Sequence, residues 1–331
     1  MNDANTPDLP TFEDVCAAAE RIRPHAVRTP LLSSAALDER IGGKVFIKVE
    51  PLQRTGSFKF RGAFNALSQF SAEQRQNGVV AFSSGNHAQG IAEAARLLGI
   101  PATIVMPSDA PAIKKAGVIS RGAELIEYNR ETESREEISQ ALCEQHNRTL
   151  IPSYDHFDII AGQGTCGLEI FEDLERLGQT ADHLVCCVGG GGLIGGINLA
   201  AHQMSPKTRV FGAEPEHFDD HKRSIDGGEV VSNERLSGSV CDAVLTPAPG
   251  RLTFAINRQH LAGICVVTDD EALAAVRFAY ETLKIVVEPG GVLALASLLS
   301  GKLDHAEGKT SVIVLTGGNV DPAIFAQAIG A

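Results

Sequence analysis

HLVCCV at residues 183–188 runs directly into GGGGLIG at 189–195. An almost unbroken apolar run of this length suits a strand covered on both faces, as parallel strands are beneath layers of helices. Four adjacent glycines then leave backbone N–H groups bare and able to converge on one anion, at the point where a following helix opens its N-terminus. The wider stretch Leu184–Ala201 is apolar enough to raise the question of a membrane span. Six of its residues are glycine, Asn198 lies within it, and no basic anchors flank it. Strand, loop and helix is the better reading.

The same alternation continues outward on both sides. VFIKVE (45–50), VVAFSS (79–84), ATIVMP (102–107), ELIEY (124–128), RVFGAE (209–214) and SVIVLTG (311–317) read as strands. Helical segments are expected after Ser57, from about Asn86, from Pro111, through Arg135, over Gln163–Leu177 and after Gly192. Capping boxes at Thr11-Phe-Glu-Asp14 and Thr268-Asp-Asp-Glu271 open two more, the second running to about Leu283. Apolar strands separated by helices indicate a doubly wound α/β fold with mostly parallel sheets. Phe218–Pro249, polar and turn-rich, reads as surface loop.

The 331 residues suggest two lobes, and 44% hydrophobic with 21% charged residues excludes global disorder. Lys+Arg 29 against Asp+Glu 41 gives a net charge of -12 with no dense basic run, which argues against nucleic acid as partner. An anionic ligand must therefore be held by a local site. The acidic, polar start MNDANTPDLP lacks the marks of a signal peptide, so a cytoplasmic protein is expected. Seven scattered cysteines without a CxxC pattern suggest reduced thiols and no zinc site.

Five places carry candidate chemistry. Lys59, within TGSFKFRG (55–62), lies between aromatic and small residues just inside a helix; desolvation there lowers an amine's pKa, as a Schiff-base lysine requires. Ser83-Ser84-Gly85-Asn86-His87 joins strand to helix, with residues suited to N-capping and N–H groups suited to a carboxylate or phosphate. Gly189–Gly192 is the phosphate candidate already met. Glu214 to Asp220 gathers carboxylates able to hold a hard cation. Leu315-Thr-Gly-Gly-Asn319 ends a buried strand, where ligands of such folds sit. One competing reading uses Gly190, Gly192 and Gly195 as G-x-G-x-x-G with Glu214 some twenty residues on, the fingerprint of an NAD-dependent oxidoreductase. It leaves Lys59 and Ser83–His87 without a role, whereas an aldehyde cofactor bearing a phosphate uses all three.

Taken in order, SFKFRGA, SSGNHAQG, IAGQGT, GGGGLIGG and TGGNVD resemble the fold-type II pyridoxal-phosphate enzymes, in the branch of serine/threonine dehydratases, serine racemases and 3-hydroxyaspartate dehydratases. The resemblance spans roughly Arg28 to Asp321. It implies two doubly wound lobes with the cofactor in the cleft between them, a large cofactor-binding domain from 1–72 and 152–331, and a small domain from 73–151. Lys59 would hold the cofactor's aldehyde carbon and Phe58 would pack near its ring. Gly189, Gly190, Gly191, Gly192 and Leu193 would hold its phosphate, Asn86 its phenolic oxygen, and Thr316 would face its pyridine nitrogen. Ser83, Ser84, Asn86 and His87 would bind the substrate carboxylate, with Ser84 at the position from which racemases return a proton. Glu214 and Asp220, with the Phe218 carbonyl, match a site for Mg²⁺, Ca²⁺ or Mn²⁺. The branch is usually homodimeric.

The implied reaction is the loss of water from a 3-hydroxy amino acid, with release of a 2-oxo acid and ammonia. A neutral hydroxyl at Thr316, in place of a carboxylate, favours expulsion of a β-leaving group over transamination. Arg135 decides between substrates. Either it is a solvated charge in ETESREE, or its guanidinium fork binds a second carboxylate, which would make 3-hydroxyaspartate preferred over L-serine and L-threonine. A serine- or aspartate-type racemase is the alternative activity. Two departures stand out: Cys241-Asp-Ala243 where the branch often reads Ala-Asp-Gly, and Thr316 where racemases usually carry serine.

Overall fold

The computed structural model describes residues 8–83, 85–110 and 112–331, the Ile113 side chain excepted. Ser84, and with it the proton-return role, lies outside the described residues, as does the helix start at Pro111. Ten strands occur among the described residues: β1 (Leu31–Ser33), β2 (Lys44–Val49), β3 (Val79–Phe82), β4 (Ala102–Pro107), β5 (Glu124–Tyr128), β6 (Thr149–Leu150), β7 (His183–Cys187), β8 (Arg209–Pro215), β9 (Leu261–Val267) and β10 (Thr310–Leu315). They form a six-stranded sheet in the order β1-β2-β10-β7-β8-β9 and a four-stranded sheet in the order β5-β4-β3-β6. Every pairing is parallel except β1 with β2.

The continuous apolar runs are explained by burial on both faces. Leu184, Cys186, Val312 and Val314 pack on one side of the larger sheet with the helices Phe157–Arg176 and Gly192–Met204. Val185, Cys187, Ile313 and Leu315 point to the opposite side, against Asp269–Phe278 and Leu293–Leu299. In the smaller sheet Val79, Ala81, Ile104 and Met106 face a layer containing Phe60, Phe64 and Ile91, while Val80, Val105 and Tyr128 pack beneath Ile138 and Leu142. Both capping boxes form, at Thr11 and at Thr268.

Several boundaries differ from the expectation. β1 and β6 are too short to present a period, and β9 follows a helix directly and is interrupted by Gly263. The helix expected over Gln163–Leu177 spans Phe157–Arg176, because His156 caps it by accepting from the Asp158 N–H at 3.2 Å. After Phe278 the chain continues as a π-helical turn over Ala279–Leu283. Phe218–Pro249 is not simply surface loop: it contains the helix Asp220–Gly227, and Asp220, His221, Ser224 and Cys241 are buried. Its polar residues turn inward because they bond to one another, Asn233 donating to Asp220 at 2.6 Å. Among the described residues no helix is long and apolar enough to cross a membrane.

Candidate active site

The site lies beyond the carboxyl ends of β3, β7 and β10, and its floor is the glycine loop. Each glycine there answers a different constraint. A side chain at Gly189 would press on Val244, and one at Gly190 would run into the Tyr154 ring. One at Gly192 would meet the Tyr154 backbone, and Gly191 has φ 88 with His221 and Asn257 directly behind it. The result is a backbone-lined concavity at the start of the helix Gly192–Met204. Leu193 buries its side chain in the apolar layer, so only its N–H serves the concavity.

Lys59 opens the helix Lys59–Ser68 beside this loop. Its Nζ donates to the Ser153 carbonyl at 2.8 Å and lies 5.1 Å from the centroid of the Phe58 ring. The side chain is partly open, as a residue on the floor of a cleft must be. Surrounding protein still lowers its pKa to about 8, desolvation outweighing the opposing pull of Cys187 and Glu288. The helix is fixed two residues later by Arg61. Its buried guanidinium binds Glu50 Oε1 and Glu169 Oε1 at 2.8 Å each, and buried Lys48 adds a 2.6 Å contact to Glu169. Removing one partner of such a cluster strands a buried charge, at a cost of about 3–5 kcal/mol.

Thr316 follows β10 and is buried, with Oγ1 3.2 Å from Cys187 Sγ, while its carbonyl accepts from the Phe58 N–H at 3.1 Å. Across the cleft, the turn after β3 presents Ser83, Gly85, Asn86 and His87. Among the described residues no side chain caps this helix: Gly85 is the cap residue, and its N–H donates to Ser83 Oγ at 3.1 Å. The helix N-terminus is thus left open toward the cleft. Asn86 is clamped at both ends of its amide. Asn319 donates to its Oδ1 at 2.7 Å, and its Nδ2 donates to Glu288 at 2.6 Å, leaving one amide hydrogen free. His87 is buried and donates Nε2–H to the Ile151 carbonyl at 3.0 Å, so Nδ1 carries a lone pair and has no partner. Desolvation, then Lys59, lower its pKa to about 3, which keeps it neutral.

Glu288 and Tyr154 were not among the expected site residues. Glu288 is buried, and burial raises its carboxyl to about 7. The one sequence signal is its place ahead of Pro289-Gly-Gly, a turn that returns the chain to Gly317. Arg135 is neither fully solvated nor enclosed. Its guanidinium stacks 4.9 Å above the Phe82 ring, at the end of β3, and pairs with Glu136 at 2.8 Å. Phe82 ends β3, so this stacking holds the guanidinium near the turn that follows that strand.

Glu214, Asp220 and His221 come together behind the glycine loop, all buried. Glu214 accepts from the backbone N–H groups of His221 at 3.1 Å and Lys222 at 2.9 Å, so both its oxygens are engaged by the start of the helix Asp220–Gly227. Burial and the neighbouring Asp220 raise Glu214 well above the carboxylate range, and burial raises Asp220 to about 7. His221 was missed from sequence. Asn257 Nδ2 donates to its Nε2 at 3.0 Å, which leaves the hydrogen on Nδ1 and makes it a poor metal ligand in that tautomer.

The family described as "Pyridoxal-phosphate dependent enzyme" matches residues 22–317. The chain belongs to the pyridoxal-phosphate-dependent enzymes. It is 49% identical over 319 residues to an L-threo-3-hydroxyaspartate ammonia-lyase from Pseudomonas sp, covering 96% of this chain and 98% of that protein. A serine racemase from Schizosaccharomyces pombe is 42% identical over 319 residues, 96% of this chain and 97% of the relative. A solved threonine deaminase from T.th. superposes with TM-score 0.88 at 41% identity, covering 94% of this chain and 99% of that one. The oxidoreductase reading is thereby overturned, and Glu214, the acid it needed, is occupied elsewhere.

The residues present fit the cofactor. The side-chain-free loop accepts a phosphate, the desolvated Lys59 suits an aldehyde carbon, and the spare Asn86 hydrogen suits a phenolic oxygen. A divalent cation also has a matching donor set: two buried carboxylates side by side, with Asp220 Oδ2 lacking any hydrogen-bond partner.

Proposed function

We propose that this protein is an ammonia-lyase that removes water from a 3-hydroxy amino acid and releases a 2-oxo acid and ammonia, with 3-hydroxyaspartate, giving oxaloacetate, favoured over L-serine and L-threonine. The observation that carries the reaction class is Lys59: a lysine with its pKa lowered to about 8, between a glycine cradle and an open helix N-terminus. The similarity to an L-threo-3-hydroxyaspartate ammonia-lyase and to a threonine deaminase supports it.

When bound, the cofactor supplies the electron sink that acidifies the α-hydrogen. The protein's residues do the rest. The helix start at Asn86 and His87 offers N–H groups to the α-carboxylate, and neutral His87 adds no competing charge. Lys59, partly neutral near pH 8, accepts the α-proton. Thr316 offers the ring nitrogen a hydroxyl instead of a carboxylate. Loss of the α-hydrogen and β-hydroxyl as water leaves an enamine, and water hydrolyses it, so the net loss is ammonia. Arg135, stacked on Phe82 at the cleft, is the group for a second carboxylate.

A cation at Glu214, Asp220 and the Phe218 carbonyl, Mg²⁺ first by abundance, completes the reading as a structural or activating ion. We also place the protein in the cytoplasm, since all seven cysteines are free. A homodimer is favoured by exposed Leu52, Tyr280 and Val286, and light scattering of the purified chain tests it. The test of function is 2-oxo acid and ammonia release from L-serine, L-threonine and each hydroxyaspartate diastereomer, with Lys59→Ala as control. A protein that racemises serine without releasing ammonia, or that turns over none of these, would overturn the reading.

A further inference from the structure

The glycine loop is held from behind by one helix, Arg251–His260. Thr253 Oγ1 donates to the Gly190 carbonyl at 2.7 Å, and Asn257 Nδ2 donates to the Gly191 carbonyl at 3.2 Å. The two donors stand one turn apart on the same face of that helix. In a planar trans peptide the carbonyl of one residue and the N–H of the next point in opposite directions. Fixing the Gly190 carbonyl therefore aims the Gly191 N–H at the cleft, and the Gly191 carbonyl, held jointly by Asn257 and by the Gly195 N–H at 2.9 Å, aims the Gly192 N–H the same way.

We propose that Thr253 and Asn257 are positioning residues that orient the glycine loop's N–H groups toward the cofactor phosphate. This rests on the reading of Gly189–Gly192 as the phosphate site.

Thr253 Oγ1 also lies 3.2 Å from the Gly250 carbonyl, the longer of its two contacts, and Asn257 has no freedom to turn. Asn257 Oδ1 accepts from Asn198 at 3.1 Å, and its second amide hydrogen goes to His221. Asn198 lies on the helix Gly192–Met204 that the loop opens, so loop, backing helix and following helix are tied at one amide. The backing helix is itself anchored by Asp155, which accepts from the N–H groups of Arg251 at 2.9 Å and Leu252 at 2.8 Å. Its neighbour Tyr154 covers Gly190 from the cleft side. Thr253, Asn257 and Asn198 are all buried. Glycine supplies the loop's open backbone but no rigidity, and these side chains supply the rigidity that a preorganised anion site needs.

The test uses the full chain freed of cofactor and titrated with pyridoxal phosphate, with pyridoxal, and with inorganic phosphate as competitor. Thr253→Val and Asn257→Leu are expected to weaken pyridoxal phosphate binding by roughly five- to tenfold while changing pyridoxal binding less than about twofold. Thr253→Ser restores the wild-type ratio, and phosphate competes more weakly in both damaged variants. Equal losses for the two aldehydes, or no loss for either, would show that the pair merely fills the structure and would overturn the proposal. Gly191→Ala is the control for the underlying reading: unchanged affinity for pyridoxal phosphate there rejects the cradle itself, and the proposal with it.

Discussion

Asn86 Nδ2 donates to Glu288 Oε1 at 2.6 Å, joining the anion-binding turn beyond the smaller sheet to a buried carboxyl beside the larger one. The contact orients the amide whose remaining hydrogen, on the proposed reading, would meet the cofactor. Burial raises Glu288 from 4.5 to about 7, so the folded protein keeps a proton that the unfolded chain has already lost over that interval. The burial cost is therefore absent below pH 4.5, accumulates as pH rises, and is complete above about 7. Glu288→Gln keeps an acceptor for Asn86 without the charge. In cofactor-free protein it is expected to match wild type at pH 4.5 and to exceed it by roughly 3 kcal/mol at pH 8, read by urea unfolding. The same advantage at both pH values would show that the carboxyl is not held neutral.

Lys59 makes a second pH-dependent prediction. Only the neutral amine attacks an aldehyde, and desolvation lowers this lysine to about 8. The rate at which cofactor-free protein condenses with pyridoxal phosphate is expected to rise with pH through about 8 and then level off. Stopped-flow absorbance measures it, and Lys59→Ala shows no such phase. A profile still climbing at pH 10 would place the amine in ordinary solvent and remove the desolvation argument.

The carboxylate pair at Glu214 and Asp220 predicts cation-dependent stability. Two buried carboxyl groups repel each other unless protonated or bridged, and a bound divalent ion stabilises the folded state by an amount that grows with the logarithm of its concentration above the dissociation constant. Mg²⁺ at about one hundred times its dissociation constant is expected to add about 2.7 kcal/mol, with EDTA reversing the gain. Asp220→Asn abolishes the response. A wild-type melting temperature indifferent to both Mg²⁺ and EDTA rejects the site.

These residues also show where sequence is transparent and where it is not. The strand–glycine–helix junction at 183–195 was legible because its signal is local: apolar residues, then bare backbone, then helix. The capping boxes at Thr11 and Thr268 are local in the same way. Glu288, Tyr154, Arg61 and Asn257 act through partners scores of residues away, and nothing in their immediate neighbours announces the pairing. The helix Phe157–Arg176 began earlier than expected because a histidine, outside the usual set of caps, accepts the free N–H of its second residue, Asp158. Phe218–Pro249 misled for the opposite reason: its polarity serves buried carboxylates instead of solvent.

The proposed choice of substrate rests on Arg135. Its side chain is 39% exposed, with the guanidinium stacked on Phe82 and paired with Glu136, whose side chain is 59% exposed. An exposed pair of this kind is worth little, so a ligand carboxylate can displace Glu136 at small cost while the stacking on Phe82 keeps the fork in place. L-Serine and L-threonine have no group to meet it. Arg135→Ala is therefore expected to lower kcat/KM for hydroxyaspartate by roughly ten- to a hundredfold and to leave serine turnover within about threefold, a loss of about 1.4–2.8 kcal/mol confined to the second carboxylate. Arg135→Lys retains charge without the fork and is expected to fall between the two. Steady-state kinetics on both substrates decides the matter: equal losses for serine and hydroxyaspartate would assign Arg135 to the fold of the cleft and leave hydroxyaspartate without its selective contact.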